Sequence, residues 1–122
     1  MCFDALSTRF GQVQRVFGFM KRTAVRAWEI AALAEAGAAT QARASLDSAL
    51  SESADVSPAP SKSEALLLLL QAAAYLGASD ANQILAAMRT ACEADTHWRS
   101  KRALRNAELI CSKQQQPRAF FW

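Results

Sequence analysis

The sequence predicts an all-α fold of about six helices, paired as antiparallel hairpins in a repeat-like or bundle arrangement. Three observations predict it. Alanine and leucine dominate while Val, Ile and Thr are few, and unbranched side chains lose less rotamer freedom in a helix. Apolar residues recur every three or four positions along most of the chain. Gly37 and Gly77 each follow one apolar run and precede another, where a glycine in the left-handed conformation closes a helix. Pro58, Pro60 and Pro117 fall outside the apolar runs, so none interrupts a helix.

The first helix carries Phe3, Leu6, Phe10, Val13, Phe17 and Met20 on one stripe, with Arg9, Gln12 and Arg15 away from it. Gly18 is expected to mark its end or a kink. A second helix over residues 23–36 is expected to bury Val25, Trp28, Ala31, Ala32 and Leu33. A third over 38–52 places Ala42, Leu46, Ala49 and Leu50 on one face. Small alanines allow close approach, and the short connection at Gly37 makes these two an antiparallel pair. The linker, residues 53–61, loses the apolar rhythm and holds Ser53, Ser57, Pro58, Pro60 and Ser61.

The fourth helix, over 62–76, opens on a capping-box pattern, Ser61-Lys62-Ser63-Glu64. It carries Leu66 to Leu70 as one run. A helix apolar on so many faces must be covered on several sides, so it is the expected centre of the fold. The fifth, near 80–94, presents Ala81, Ile84, Leu85, Met88, Ala91 and Cys92. Ser79 is its expected cap and Asp80 complements its dipole. Thr96 is the expected cap of the sixth, with Ala103, Leu104, Ala107, Ile110 and Cys111 inward and Arg99, Lys101, Arg102 and Arg105 outward. Glutamines and Pro117 end it.

The chain of 122 residues divides into an amphipathic N-terminal helix or extension (1–19), a helical hairpin domain (20–113) and a C-terminal tail (114–122). Met20-Lys21-Arg22 has the look of a natural opening, which would make 1–19 an extension. The run 65–77 is too short for a bilayer's roughly 20 apolar residues, and Gln71 interrupts it. No secretory signal pattern follows Met1. Three scattered cysteines, Cys2, Cys92 and Cys111, read as reduced thiols and a cytoplasmic location. An organellar location is the alternative, since residues 1–19 are Arg-bearing and acid-poor apart from Asp4. The net charge of +3 hides an uneven distribution. Residues 1–30 hold five cations against two acids, residues 96–122 six against one, and the middle three against eight. Basic ends suit phosphates or an acidic partner, or neutralise the chain's own middle.

Ala32-Leu33, Gly37, Ala42, Leu46 and Ala49-Leu50 together resemble the tetratricopeptide (TPR) repeat, a helix-turn-helix unit that stacks into scaffolds for binding peptides and proteins. Arg26 stands where the family's tryptophan would, no proline follows Leu50 at the family offset, and the second unit at Gly77, Ala81, Leu85 and Met88 is one residue short. The resemblance covers residues 23–94 and implies stacked hairpins and a protein or peptide partner. Ala91-Cys92-Glu93, Trp98 and Ala103-Leu104 more faintly resemble the pentatricopeptide (PPR) repeat, a binder of single-stranded RNA, with a wider gap after Trp98.

Chemistry is thinly represented. Cys92, Asp95 and His97 form a local set with Cys111 in the next helix, but they lack the paired spacings of structural zinc and the arrangement of a thiol nucleophile. Four dispersed glycines make no phosphate loop. The expectation is therefore a non-enzymatic binding module with no catalytic residue, cofactor or metal. Its partner is a protein, a peptide or a second copy. Candidate contact residues are the stripe Phe3, Phe10 and Phe17, and the basic face Trp98, Arg99, Arg102 and Arg105. The terminal aromatics Phe120, Phe121 and Trp122 complete the set, since they are costly to leave in water. RNA binding through the basic ends is the alternative function, by phosphate attraction and base stacking.

Overall fold

The computed structural model describes residues 2–54, 56 and 59–113, with side chains described from residue 18 to 112. Five helices make up the described residues, with no strand among them: α1 (Cys2–Glu35), α2 (Ala39–Ser53), α3 (Ala59–Ala73), α4 (Ala78–Ala94) and α5 (Trp98–Lys113). The first two expected helices are one. Gly18 neither ends nor caps α1, which runs through it for 34 residues. A glycine costs a helix interior only about 1 kcal/mol, and without a proline the flanking residues propagate the helix across it.

The two glycines act differently. Gly37 has φ 85° and closes α1 in the Schellman pattern: the Ala38 amide donates to the Leu33 carbonyl at 2.9 Å, and the Gly37 amide to Ala34 at 3.2 Å. Gly77 is extended, with φ 164° and ψ 161°. It serves as the N-cap of α4, its carbonyl accepting the Ala81 amide at 3.3 Å, so the expected left-handed stop is absent there. Ser79, its expected capping residue, lies inside α4.

α3 starts earlier than expected. Pro60 sits in its first turn, where a missing N–H is no loss. Ser61 therefore lies inside the helix, and the Ser61–Glu64 capping box does not form. α5 is capped by His97 rather than Thr96: its Nδ1 accepts the Arg99 amide at 3.1 Å. The Asp95 carboxylate braces this corner, accepting the His97 amide at 3.0 Å and the Ser100 hydroxyl.

α3 is the centre, as the leucine run demands. Leu66 through Leu70 are all buried, each stabilising by about 1.5–3 kcal/mol. α3 packs against all four other helices. α2 packs against α1 and α3, and α4 against α3 and α5. Among the described residues, no close backbone packing joins α1 to α5 or α2 to α4.

One buried face departs from expectation. Val25 is 67% exposed and Trp28 55%, while Ala24, Ala27, Ile30 and Ala31 are buried. Ala32 is exposed as well. The helix turns its small residues, not its largest ring, toward α2 and α3, because alanines permit close approach along the length of a neighbour. Arg26 fastens the hairpin from the rim, pairing with Glu52 at 3.3 Å and donating to the Ser48 hydroxyl at 3.3 Å.

Candidate functional site

α2 and α4 both lie on α3 without their backbones packing on each other, so a groove runs between them. It holds about 320 Å³, the lower end of the range for binding pockets. Leu66 of α3 forms the floor. Leu46 and Leu50 make the α2 wall, and Ile84, Ala87 and Ala91 the α4 wall. Each wall is a stripe of positions three or four apart, the face a helix presents to one neighbour. From Leu46 to Ala54 the α2 wall runs about 12 Å, and from Asp80 to Ala91 the α4 wall about 16 Å, at 1.5 Å per residue.

Polar contacts bound this groove. At the N-terminal end of α4, Arg43 of α2 pairs with Asp80 at 3.0 Å. At the C-terminal end of α2, the Lys62 ammonium donates to the Ala54 carbonyl at 3.3 Å. Asp47 and Gln83 stand exposed on the two rims. Asp47 makes no ion pair or hydrogen bond among the described residues. The apolar pattern of Leu46, Leu50 and Ile84 is visible in the sequence, but it reads as core. That these residues flank an open space follows only from α2 and α4 standing apart.

The second candidate surface is the start of α5. Trp98 is 62% exposed. His97 stacks on it with ring centroids 5.9 Å apart, and the Arg102 guanidinium lies 4.9 Å from the ring centroid, a cation–π contact. Arg99 and Arg102 both pair with Glu64 of α3, Arg102 at 3.6 Å. Two of the expected outward cations are thus held within the chain, by the same Glu64 that would have closed the capping box. Lys101 and Arg105 remain exposed on α5. Arg89 of α4 pairs with Glu108 at 3.6 Å and ties α4 to α5.

Cys92, Asp95 and His97 do lie together, in a structural arrangement. The Cys92 thiol donates to the Ser100 carbonyl at 3.7 Å, and burial, then the nearby Asp95, pushes its pKa up. Burial likewise raises the Cys111 thiol. Raised thiols stay protonated at neutral pH and are poor nucleophiles and ligands. The Ser100 hydroxyl, and then the His97 amide, hold the Asp95 carboxyl below the usual carboxylate range. Among the described residues, no three His, Cys, Asp or Glu side chains gather as a metal site would require.

The side chains of Phe3, Phe10 and Phe17, and the residues Phe120, Phe121 and Trp122, lie outside the described residues. Among the described residues no helix is long and apolar enough to cross a membrane. In comparison with known proteins, no family model, no curated protein and no solved structure matches the chain.

Proposed function

We propose that this chain is a non-enzymatic helical binding module of the tetratricopeptide type, a protein–protein adaptor or small chaperone that holds its partner in the groove between α2 and α4. The observation that carries this reading is the groove itself: a trough between α2 and α4 above the buried Leu46, Leu66 and Ile84, whose apolar lining reaches the surface at Leu50, Ala87 and Ala91. Concave apolar sites with a few polar groups at the edge are the ordinary place for a ligand. The packing order supports the hairpin reading: α1, α3 and α5 pack in succession, and α2 and α4 each bridge two of them. Stacked hairpin repeats are built this way, each unit against its neighbour.

Ala87 is exposed on the groove wall, so Ala87→Trp fills the trough without disturbing the core. The variant is expected to keep native helicity and melting temperature. Proteins recovered on the unaltered chain from its native host should fall by about tenfold or more on the variant, measured by quantitative mass spectrometry of matched purifications. An identical set of proteins on both would overturn the reading.

Exposed Trp98 beside exposed Lys101 and Arg105 favours a second reading, binding of single-stranded RNA at α5 by stacking and phosphate attraction. It predicts retardation of a short RNA at low salt and a steep loss of affinity as salt rises. It also predicts about tenfold weakening in the double variant Lys101→Glu, Arg105→Glu. No retardation at low salt would end this reading.

A further inference from the structure

We infer that the face of α3 turned away from α2 and α4 is the floor of a binding channel between α1 and α5, and that residues 114–122 of this chain fill it, with Phe120, Phe121 and Trp122 lying over Leu68. The channel is on the opposite side of α3 from the α2–α4 groove and does not depend on that groove being a binding site.

Helical register places the channel. Leu66 faces the α2–α4 groove. Glu64, Leu68, Gln71 and Tyr75, spaced four, three and four apart, form the stripe on the other side of the same helix. One rim is α5. Its Arg99 and Arg102 pair with Glu64, and Leu109 lies two turns beyond Arg102 on the same face. The other rim is α1. Its Glu35 lies near Tyr75, whose phenol pKa is raised first by burial and then by that carboxylate. Trp28 lies two turns before Glu35 on the same face.

The burial of this stripe requires a cover. Leu68 is 1% exposed and Gln71 is fully buried. α2 and α4 lie on the other side of α3, and among the described residues no close backbone packing joins α1 to α5. The large apolar side chains of the rims do not close the gap, since Trp28 is 55% exposed and Leu109 49%. The cover must be apolar over Leu68 and must meet the Gln71 amide, because buried polar groups are hydrogen-bonded. An extended segment does both. Its side chains cover the leucine, and its backbone gives the amide a donor and an acceptor.

The chain after α5 starts in the right place and is long enough. Two short reversals, at Gly77 and at 95–97, bring α5 parallel to α3. Arg99 lies at the Glu64 end of the stripe, so Lys113, the last residue of α5, lies at the Tyr75 end. Pro117 cannot continue the helix. From Tyr75 back to Glu64 is about 16 Å at 1.5 Å per residue. The nine residues 114–122 span about 30 Å when extended, enough to turn and run the whole stripe. Their three aromatic side chains are costly to leave in water and supply the apolar cover.

The test is nuclear magnetic resonance on the full chain. Nuclear Overhauser cross-peaks are expected between the Leu68 methyl groups and ring protons of Phe120, Phe121 or Trp122. In a mixture of labelled and unlabelled chains they are expected within one chain. No such cross-peaks would overturn the proposal. Cross-peaks only between chains would also overturn it and give the channel to a second copy. The triple variant Phe120→Ser, Phe121→Ser, Trp122→Ser is expected to keep native helicity and melt about 5 °C or more lower. A synthetic peptide of residues 114–122, added to this variant, is expected to shift the Leu68 and Gln71 signals. At the same concentration it should shift those of the unaltered chain by a tenth as much or less, because the channel is already filled. An unchanged melting temperature, or an equal response of the two chains to the peptide, would overturn the proposal. Should the variant not fold, the cross-peaks of the unaltered chain decide. The α2–α4 groove is tested separately by Ala87→Trp.

Discussion

Leu69→Ala is expected to destabilise the protein by about 2–5 kcal/mol, the range for removing a buried leucine from a core that cannot collapse onto the gap. Leu69 is fully buried on α3, the helix that every other helix packs against. A cavity there is bordered by several elements, so no single one can move in to fill it. Against a total stability of roughly 5–15 kcal/mol, the loss should lower the melting temperature by about 10–20 °C. Urea unfolding followed by circular dichroism measures it. Leu109→Ala is the matched control. Leu109 is 49% exposed on α5, and its truncation should change stability by less than about 0.5 kcal/mol. Similar losses at the two sites would show that α3 is not the centre of the core.

The opposite change at a small residue comes second. Ala42→Leu is expected to cost about 1–3 kcal/mol, although it makes the sequence more hydrophobic and no less helical. Ala42 is fully buried on α2, and α2 packs on α1 and α3. An added isobutyl group there pushes the helices apart or enters a strained rotamer. Ala44→Leu, two positions along the same helix but exposed, should be near neutral. Equal behaviour of the two variants in thermal unfolding would contradict close packing of α2 through its alanines.

These two substitutions divide what can be read from the chain. The importance of Leu69 is legible in the sequence, because five consecutive leucines leave no helix face polar and the helix must be surrounded. The inward faces of α2 and α4 were legible too, through Ala42, Leu46 and Ala49 and through Ala81, Ile84, Leu85 and Met88. The face of α1 was not. Two apolar stripes lie one position apart there, Val25 and Trp28 on one, Ala24, Ala27 and Ala31 on the other. Periodicity weighs them alike and hydrophobicity favours the first. Close approach of the neighbouring helices favours the second, and that is a property of the assembled pair.

The caps show the same limit. Ser61–Glu64, Ser79 and Thr96 all have the right residue types for capping, and none caps. A proline is tolerated one step upstream, Gly77 is already the N-cap of α4, and His97 reaches the Arg99 amide. Local preferences worth about 1 kcal/mol yield to the packing of whole helices. Glu64, freed from the cap, pairs instead with Arg99 and Arg102, which draws in the basic face on which the nucleic-acid expectation rested.

By itself, the sequence determined that the chain is helical, that it reverses at Gly37 and between α3 and α4, and that the leucine run lies at the centre. Each of these depends on residues a few positions apart, since helix hydrogen bonds and apolar stripes are local. Only the tertiary structure decided which face of α1 is buried, which cations of α5 are held by Glu64, and that α2 and α4 stand apart over Leu66. Those outcomes join residues on different helices, such as Arg26 with Ser48, Glu64 with Arg99 and Arg43 with Asp80. They are set by the fit of helices against one another, which no local pattern encodes.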